Sequence, residues 1–147
     1  MSCRNTNKRL TRSRLSSIDV GGNNMKKCIA TSNAPQALGP YSQAIEYDGT
    51  VYLSGQIAID ENGNLKKGIE AQTKQVFANL KAVLAEASLT FDNVVKTTVF
   101  MSDLADFAIM NEIYATYFNT PFPARGTVQV ARLPKDALVE IECIAIK

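Results

Sequence analysis

The nine residues LVEIECIAI at positions 138–146 alternate in a way that decides the fold. Successive side chains of a strand point to opposite faces of its sheet. The odd set, Val139, Ile141, Cys143 and Ala145, is wholly apolar and suited to lie under helices. The even set, Leu138, Glu140, Glu142, Ile144 and Ile146, places two glutamates together among aliphatic neighbours. One strand therefore carries a core face and a mixed face.

The same split applies to two stretches further upstream. In residues 125–130, Val128 and Val130 share one face while Arg125, Thr127 and Gln129 share the other. In residues 51–57, Val51, Leu53 and Ile57 oppose Tyr52, Ser54 and Gln56. Three strands thus show a helix-facing side and a mixed side bearing hydroxyls, an arginine and carboxylates. Such a face is too aliphatic for solvent, and it suggests burial against another subunit with polar residues gathered into a pocket. Each residue also has a plainer reading. An Arg and a Glu on adjacent strands make a structural ion pair, Ser54 a satisfied strand hydroxyl, Tyr41 a turn aromatic after Gly39-Pro40, and Asn111 an ordinary helix residue.

The other elements follow from periodicity and turn chemistry. Residues 44–47 and 50–57 flank Asp48-Gly49, the pair that a type I′ hairpin turn favours. Ile69, Thr73, Val76, Phe77, Leu80, Val83, Leu84 and Ala87 form a helical stripe, with Lys74, Lys81 and Glu86 off it. Residues 93–101 (NVVKTTVFM) are rich in β-branched side chains and read as a strand. A second helix starts near 103–106, carries Leu104, Phe107, Ile109, Met110, Ile113, Tyr114 and Tyr117, and stops before Pro121. The order is strand, hairpin, helix, strand, helix, strand pair, the last two strands joined by a loop containing Pro134-Lys135-Asp136. This is an α+β layer sandwich of about six strands with two helices on one face.

Composition bounds the function. The 147 residues suit a single domain, with 46% hydrophobic and 20% charged residues. No apolar run approaches the ~20 residues a membrane helix needs, so no membrane association is expected. The chain has no histidine, which removes Ser-His-Asp and Cys-His nucleophiles, His-ligated zinc and His general bases. Cys3, Cys28 and Cys143 are odd in number, far apart and without C-x-x-C spacing. Neither a disulfide framework nor a thiolate metal site is expected, and a reducing, cytoplasmic setting fits.

Charge is unevenly spread. Residues 1–24 hold Arg4, Lys8, Arg9, Arg12 and Arg14 against Asp19, leaving 11 basic and 13 acidic residues in 25–147. The body is mildly acidic, a poor electrostatic footprint for nucleic acid. The first 24 residues have no apolar period and end in Gly21-Gly22-Asn23-Asn24. They read as a leader outside the fold, with an organelle transit peptide and a basic nucleic-acid arm as the competing readings. Residues 25–147 form the domain.

From about Lys26 to Lys147 the chain resembles the RidA (YjgF-type) enamine/imine deaminases. The markers are Ala34-Pro35 with Gly39-Pro40-Tyr41-Ser42-Gln43, then Ser54-Gly55-Gln56, then Val95-Lys96-Thr97-Thr98-Val99-Phe100 with Asp103-Leu104 and Phe107. Phe122-Pro123-Ala124-Arg125 and Ala131-Arg132-Leu133-Pro134-Lys135-Asp136 follow, leading to Glu140-Ile141-Glu142. Each marker is weak alone; together and in order they are specific.

The resemblance implies a chorismate-mutase-like fold assembled as a homotrimer, with active sites in clefts between subunits. It implies a deaminase without cofactor or metal that converts 2-aminoacrylate-type enamines, through their 2-imino acid tautomers such as 2-iminopropanoate and 2-iminobutanoate, to 2-oxo acids and ammonia. By motif position Arg125 grips the substrate carboxylate, and a guanidinium fork suits that task. Glu140 matches the glutamate that places the attacking water. Tyr41, Ser54, Asn111 and Thr127 match further pocket positions. Many members have Ser or Ala, then Cys, where this chain has Gly126 and Thr127, so a backbone role at 127 survives and a thiol role does not. Burial would raise the Glu140 pKa, while a nearby Arg125 would lower it. The alternatives are a 2-oxo acid binding or regulatory module, and the ribonuclease and translation-inhibiting activity also credited to the family.

Overall fold

The computed structural model describes residues 25–147, so the leader expected at 1–24 lies outside the described residues. Six strands and two helices appear in the order β1 (Lys27–Ile29), β2 (Ala44–Tyr47), β3 (Thr50–Gln56), α1 (Ile69–Glu86), β4 (Val94–Met101), α2 (Phe107–Ala115), β5 (Ala124–Gln129) and β6 (Val139–Ile146). They build one mixed sheet of order β1-β2-β3-β6-β4-β5. The β2–β3 hairpin turns at Asp48 (φ 49°) and Gly49 (φ 79°), both in the left-handed region a type I′ turn requires.

The two last strands are not a pair. β5 lies parallel to β4, and β6 runs antiparallel between β3 and β4. A parallel neighbour needs a crossover, which α2 supplies between β4 and β5. The wholly apolar odd face of β6 drives that strand to the sheet centre, where Val139, Ile141 and Ala145 are fully buried and Cys143 nearly so. β5 is mostly exposed, and it takes the edge.

Both helices cover one face. Every residue of the α1 stripe is buried, and Phe77 stacks on Tyr117 with ring centroids 4.2 Å apart. Residues 104–106 form a single 3₁₀ turn whose start is capped by Asp103, its carboxylate accepting from the Ala105 N–H at 2.8 Å. α2 then buries only Met110 and Tyr114, while Leu104 and Ile109 face solvent. Buried amides tie the loops to this frame. Gln72 donates to the Lys66 carbonyl and accepts from Leu138 N–H at 2.8 Å, which fixes where β6 begins. Asn79 donates to the carbonyls of Ile57 and Ile59. Cys143 is a free, buried thiol, and burial pushes its pKa up to about 12.

Two face assignments need correction. A β-bulge between Leu53 and Gln56 sets two β3 residues, Ser54 and Gly55, against the single Glu142 of β6. The extra residue reverses the alternation, so Gln56 is buried opposite Ile141 instead of sharing a face with Tyr52 and Ser54. On β5, Thr127 is in register with the fully buried Val99, and Arg125 with buried Thr97. Arg125, Thr127 and Gln129 therefore face the helices, and it is Val128 that shares the open face with Phe100 and Glu140. Alternation groups the residues of a strand correctly but leaves open which group faces the core. On an edge strand with one thinly covered side, the polar set took the helix side.

Candidate functional site

One group of candidate residues gathers beneath α2. Phe107, Asn111 and Tyr114 are spaced i, i+4, i+7 and share a helix face. The Arg125 guanidinium lies under that face, 4.6 Å from the Tyr114 ring centroid and 5.6 Å from that of Phe107. The Tyr114 hydroxyl is 2.8 Å from Thr97 Oγ1, which fixes the ring, and burial raises its pKa. Cation–π contact with two rings holds the guanidinium without consuming its N–H donors. Among the described residues no carboxylate forms an ion pair with Arg125. Thr127 stands two residues along on the same face, its Oγ1 buried and without a hydrogen-bond partner among the described residues. Gln129 completes the row by accepting from the Leu104 N–H at 2.9 Å.

A second group forms around β3 and the start of β6. Ser54 donates to the Ser42 carbonyl at 2.6 Å, and its N–H donates to the Gln43 carbonyl at 3.0 Å. These bonds strap the loop bearing exposed Tyr41 to the β3 bulge. The loop is rigid for a further reason: buried Gln43 accepts from Thr31 N–H at 2.7 Å and donates to the carbonyls of Thr31 and Pro35. Glu140 reaches over from β6 and packs on Gly55 in the same bulge. Its carboxyl group is half-buried and makes no hydrogen bond to another described residue. Burial raises its pKa above the usual glutamate range, with the Glu142 carboxylate adding in the same direction.

Arg125 and Glu140 do not meet within the chain. β4 separates their strands, their positions differ by three residues along the register, and they face opposite sides of the sheet. Ideal spacings put their Cα atoms about 14 Å apart. A structural Arg125–Glu140 ion pair on adjacent strands is thereby overturned. Within one chain Arg125 is too distant to pull on Glu140, and burial is the first cause of the raised Glu140 pKa. The groove between α1 and α2, bordered by Lys74, Ile109, Glu112 and Tyr117, contains none of the candidate residues.

The chain thus presents two separate groups of candidate residues: a guanidinium with Asn111 and Thr127, and a carboxyl group with Tyr41 and Ser54. Phe107 and Tyr114 escape a sequence reading because an aromatic at helical spacing reads as core; only their shared face with Asn111 signals more. Gly55 is equally silent until Glu140 is seen against it.

Comparison with known proteins agrees with this geometry. Residues 31–147 match the family model described as Endoribonuclease L-PSP. The 2-iminobutanoate/2-iminopropanoate deaminase of Mus musculus is 46% identical over 125 residues, covering 84% of this chain and 93% of its own length. A RutC family protein of Pyrococcus horikoshii is 51% identical, covering 84% of this chain and 99% of its own length. Among solved structures, RidA from an Antarctic Psychrobacter superposes with a TM-score of 0.80 at 46% identity, covering 82% of this chain and 99% of that one. Escherichia coli TdcF with bound serine superposes with a TM-score of 0.78 at 41% identity, covering 82% and 98%. With its motifs in order, its sheet and helices matched and nearly the whole described region aligned, the chain belongs to the Endoribonuclease L-PSP family, the RidA/YjgF family that those motifs resemble.

Proposed function

We propose that this protein hydrolyses 2-imino acids to 2-oxo acids and ammonia, the activity named for its 2-iminobutanoate/2-iminopropanoate deaminase relatives. The observation that carries the reading is Arg125: a guanidinium seated on two aromatic faces, with no carboxylate partner among the described residues. It is a preorganised fork for a carboxylate ligand.

The chemistry asks little more of the protein. A protonated imine carbon is already a strong electrophile, so orientation, charge pairing and a placed water supply most of the catalysis. Water adds to the C=N carbon while Glu140 accepts its proton, giving a carbinolamine. Glu140 then returns the proton to nitrogen, the C–N bond breaks as the C=O bond forms, and the hydroxyl proton passes through Glu140 to the departing ammonia, which leaves as ammonium. A carboxyl group whose pKa is raised by burial suits a base that must also act as an acid.

The two groups of residues, read as half-sites, support a homotrimer. Arg125, Asn111 and Thr127 of one subunit would meet Tyr41, Ser54 and Glu140 of the next, uniting what a single chain keeps on opposite sheet faces. The exposed apolar side chains of Tyr52, Val128 and Ile146 on β3, β5 and β6 favour such a contact. Residues 25–147 would be the working unit, in the cytoplasm where enzymes that shed reactive imines act; among the described residues no helix is long and apolar enough to cross a membrane.

Charge disfavours the endoribonuclease of the family description, since residues 25–147 carry more acidic than basic residues and no histidine. The test is ammonia release from 2-aminoacrylate generated in situ by a dehydratase. Acceleration over the uncatalysed rate is expected. Binding of a 2-oxo acid without turnover would reduce the protein to a binding module.

A further inference from the structure

Glycine is demanded by the backbone where φ is positive, as at Gly49, Gly63 and Gly68. Gly55 is not such a position: its φ lies outside the left-handed range, so alanine can adopt the same backbone. What occupies the place of its missing side chain is Glu140. A β-carbon built on Gly55 would collide with Glu140 Oε1 and lie 2.9 Å from Cδ and 3.1 Å from Cγ. Gly55 also belongs to the bulge where two β3 residues face one of β6, a device that re-aims side chains near active sites.

We propose that Gly55 is a positioning residue for Glu140: the absent β-carbon makes the berth that holds the carboxyl group against the β3 backbone, where the hydrolytic water is placed. The inference rests on the deaminase reading for its catalytic consequence, though not for its geometry. The colliding atoms are the end of a flexible side chain, so a methyl group at 55 is accommodated by swinging Glu140 away, leaving the sheet intact. The groups facing Glu140 are few. Glu142 stands two residues along on the same face, β4 presents uncharged Phe100 and Thr98, and β3 presents Ser54 and Gly55. Lys96 and Tyr52 lie further along, beside Ile144. Within its own chain a displaced Glu140 therefore loses burial and gains no new cation; in the proposed assembled site the one cation brought near it is Arg125 of the next subunit.

The experiment is Gly55→Ala in the full chain, read by carbon NMR titration of the Glu140 carboxyl and by steady-state kinetics. The titration midpoint is expected to fall toward the ordinary glutamate value. The kcat should fall at least about tenfold while KM stays within about twofold, and the acid limb of the kcat profile should move to lower pH. In a Glu140→Ala background, Gly55→Ala should cause no further loss. An unchanged midpoint with unchanged kcat overturns the proposal. So does a Gly55→Ala chain that fails to fold in both backgrounds; failure only where Glu140 is present supports it. If the wild-type protein releases no ammonia, the deaminase reading falls, and the titration midpoint still decides the role of Gly55.

Discussion

Arg125 rests 4.6 Å below the ring of Tyr114, whose hydroxyl is in turn held 2.8 Å from Thr97 Oγ1. The guanidinium is thus positioned by an aromatic stack rather than by a carboxylate, and its N–H donors remain available. An Arg125→Ala variant should stay folded and lose imine hydrolysis, because a charge-assisted contact of this kind is worth roughly 2–5 kcal/mol when its partner is left buried and unpaired. Arg125→Lys should also be poor, since a point charge cannot reproduce the fork. Melting temperature and turnover measured on the same samples check this. Near-wild-type turnover by folded Arg125→Ala would remove the carboxylate anchor.

Tyr114 separates platform from packing. Tyr114→Phe keeps the ring but leaves the buried Thr97 hydroxyl unpaired, so it should lower stability by about 1–3 kcal/mol with turnover nearly intact. Tyr114→Leu removes the platform and should raise KM beyond what its stability loss explains. Equal KM values for the two variants would show that the ring does not position Arg125.

Glu140 gives a pH signature with a definite sign. Its folded pKa lies above the ordinary 4.5, so between the two values the folded state binds more protons than the unfolded one. Stability from this group is therefore full below the ordinary value and is lost as pH rises through the folded one. Glu140→Gln should raise the melting temperature at pH 7 relative to wild type, and the gain should vanish at pH 4 and below. Melting curves across that range test it; a gain that is constant with pH would exclude the burial effect.

How much of this was legible in the sequence follows from local physics. The alternation of 138–146 reads correctly because both flanking strands and both helices act on one apolar face. The Asp48-Gly49 turn and the α1 stripe are equally local, since each is decided by residues within a turn or two. Gln56 is misplaced because a one-residue bulge leaves no mark on composition. Arg125 is put on the wrong face because alternation does not reveal which phase faces the core, and an arginine laid against aromatic rings on the helix side breaks the usual polar-out expectation. The partnership of β5 with β4 depends on the α2 crossover, and nothing within 124–129 encodes it.

The separation of Arg125 from Glu140 makes the last prediction. If each active site takes Arg125 from one subunit and Glu140 from its neighbour, Arg125→Ala and Glu140→Ala homo-oligomers should each be inactive. Unfolded together in equal amounts and refolded, they should yield mixed assemblies in which about one quarter of the sites hold both native residues, as random choice of the two contributing subunits requires. Turnover should therefore recover to roughly that fraction of wild type, with no activity when the separately refolded variants are mixed and kept from exchanging. Sedimentation equilibrium on the same material establishes the oligomer. A site built within one subunit would regain nothing, since every chain in the mixture lacks one of the two residues. Recovery thus depends on the half-sites meeting across a subunit boundary, and a null result with properly assembled mixed oligomers would rule that boundary out as the place of catalysis.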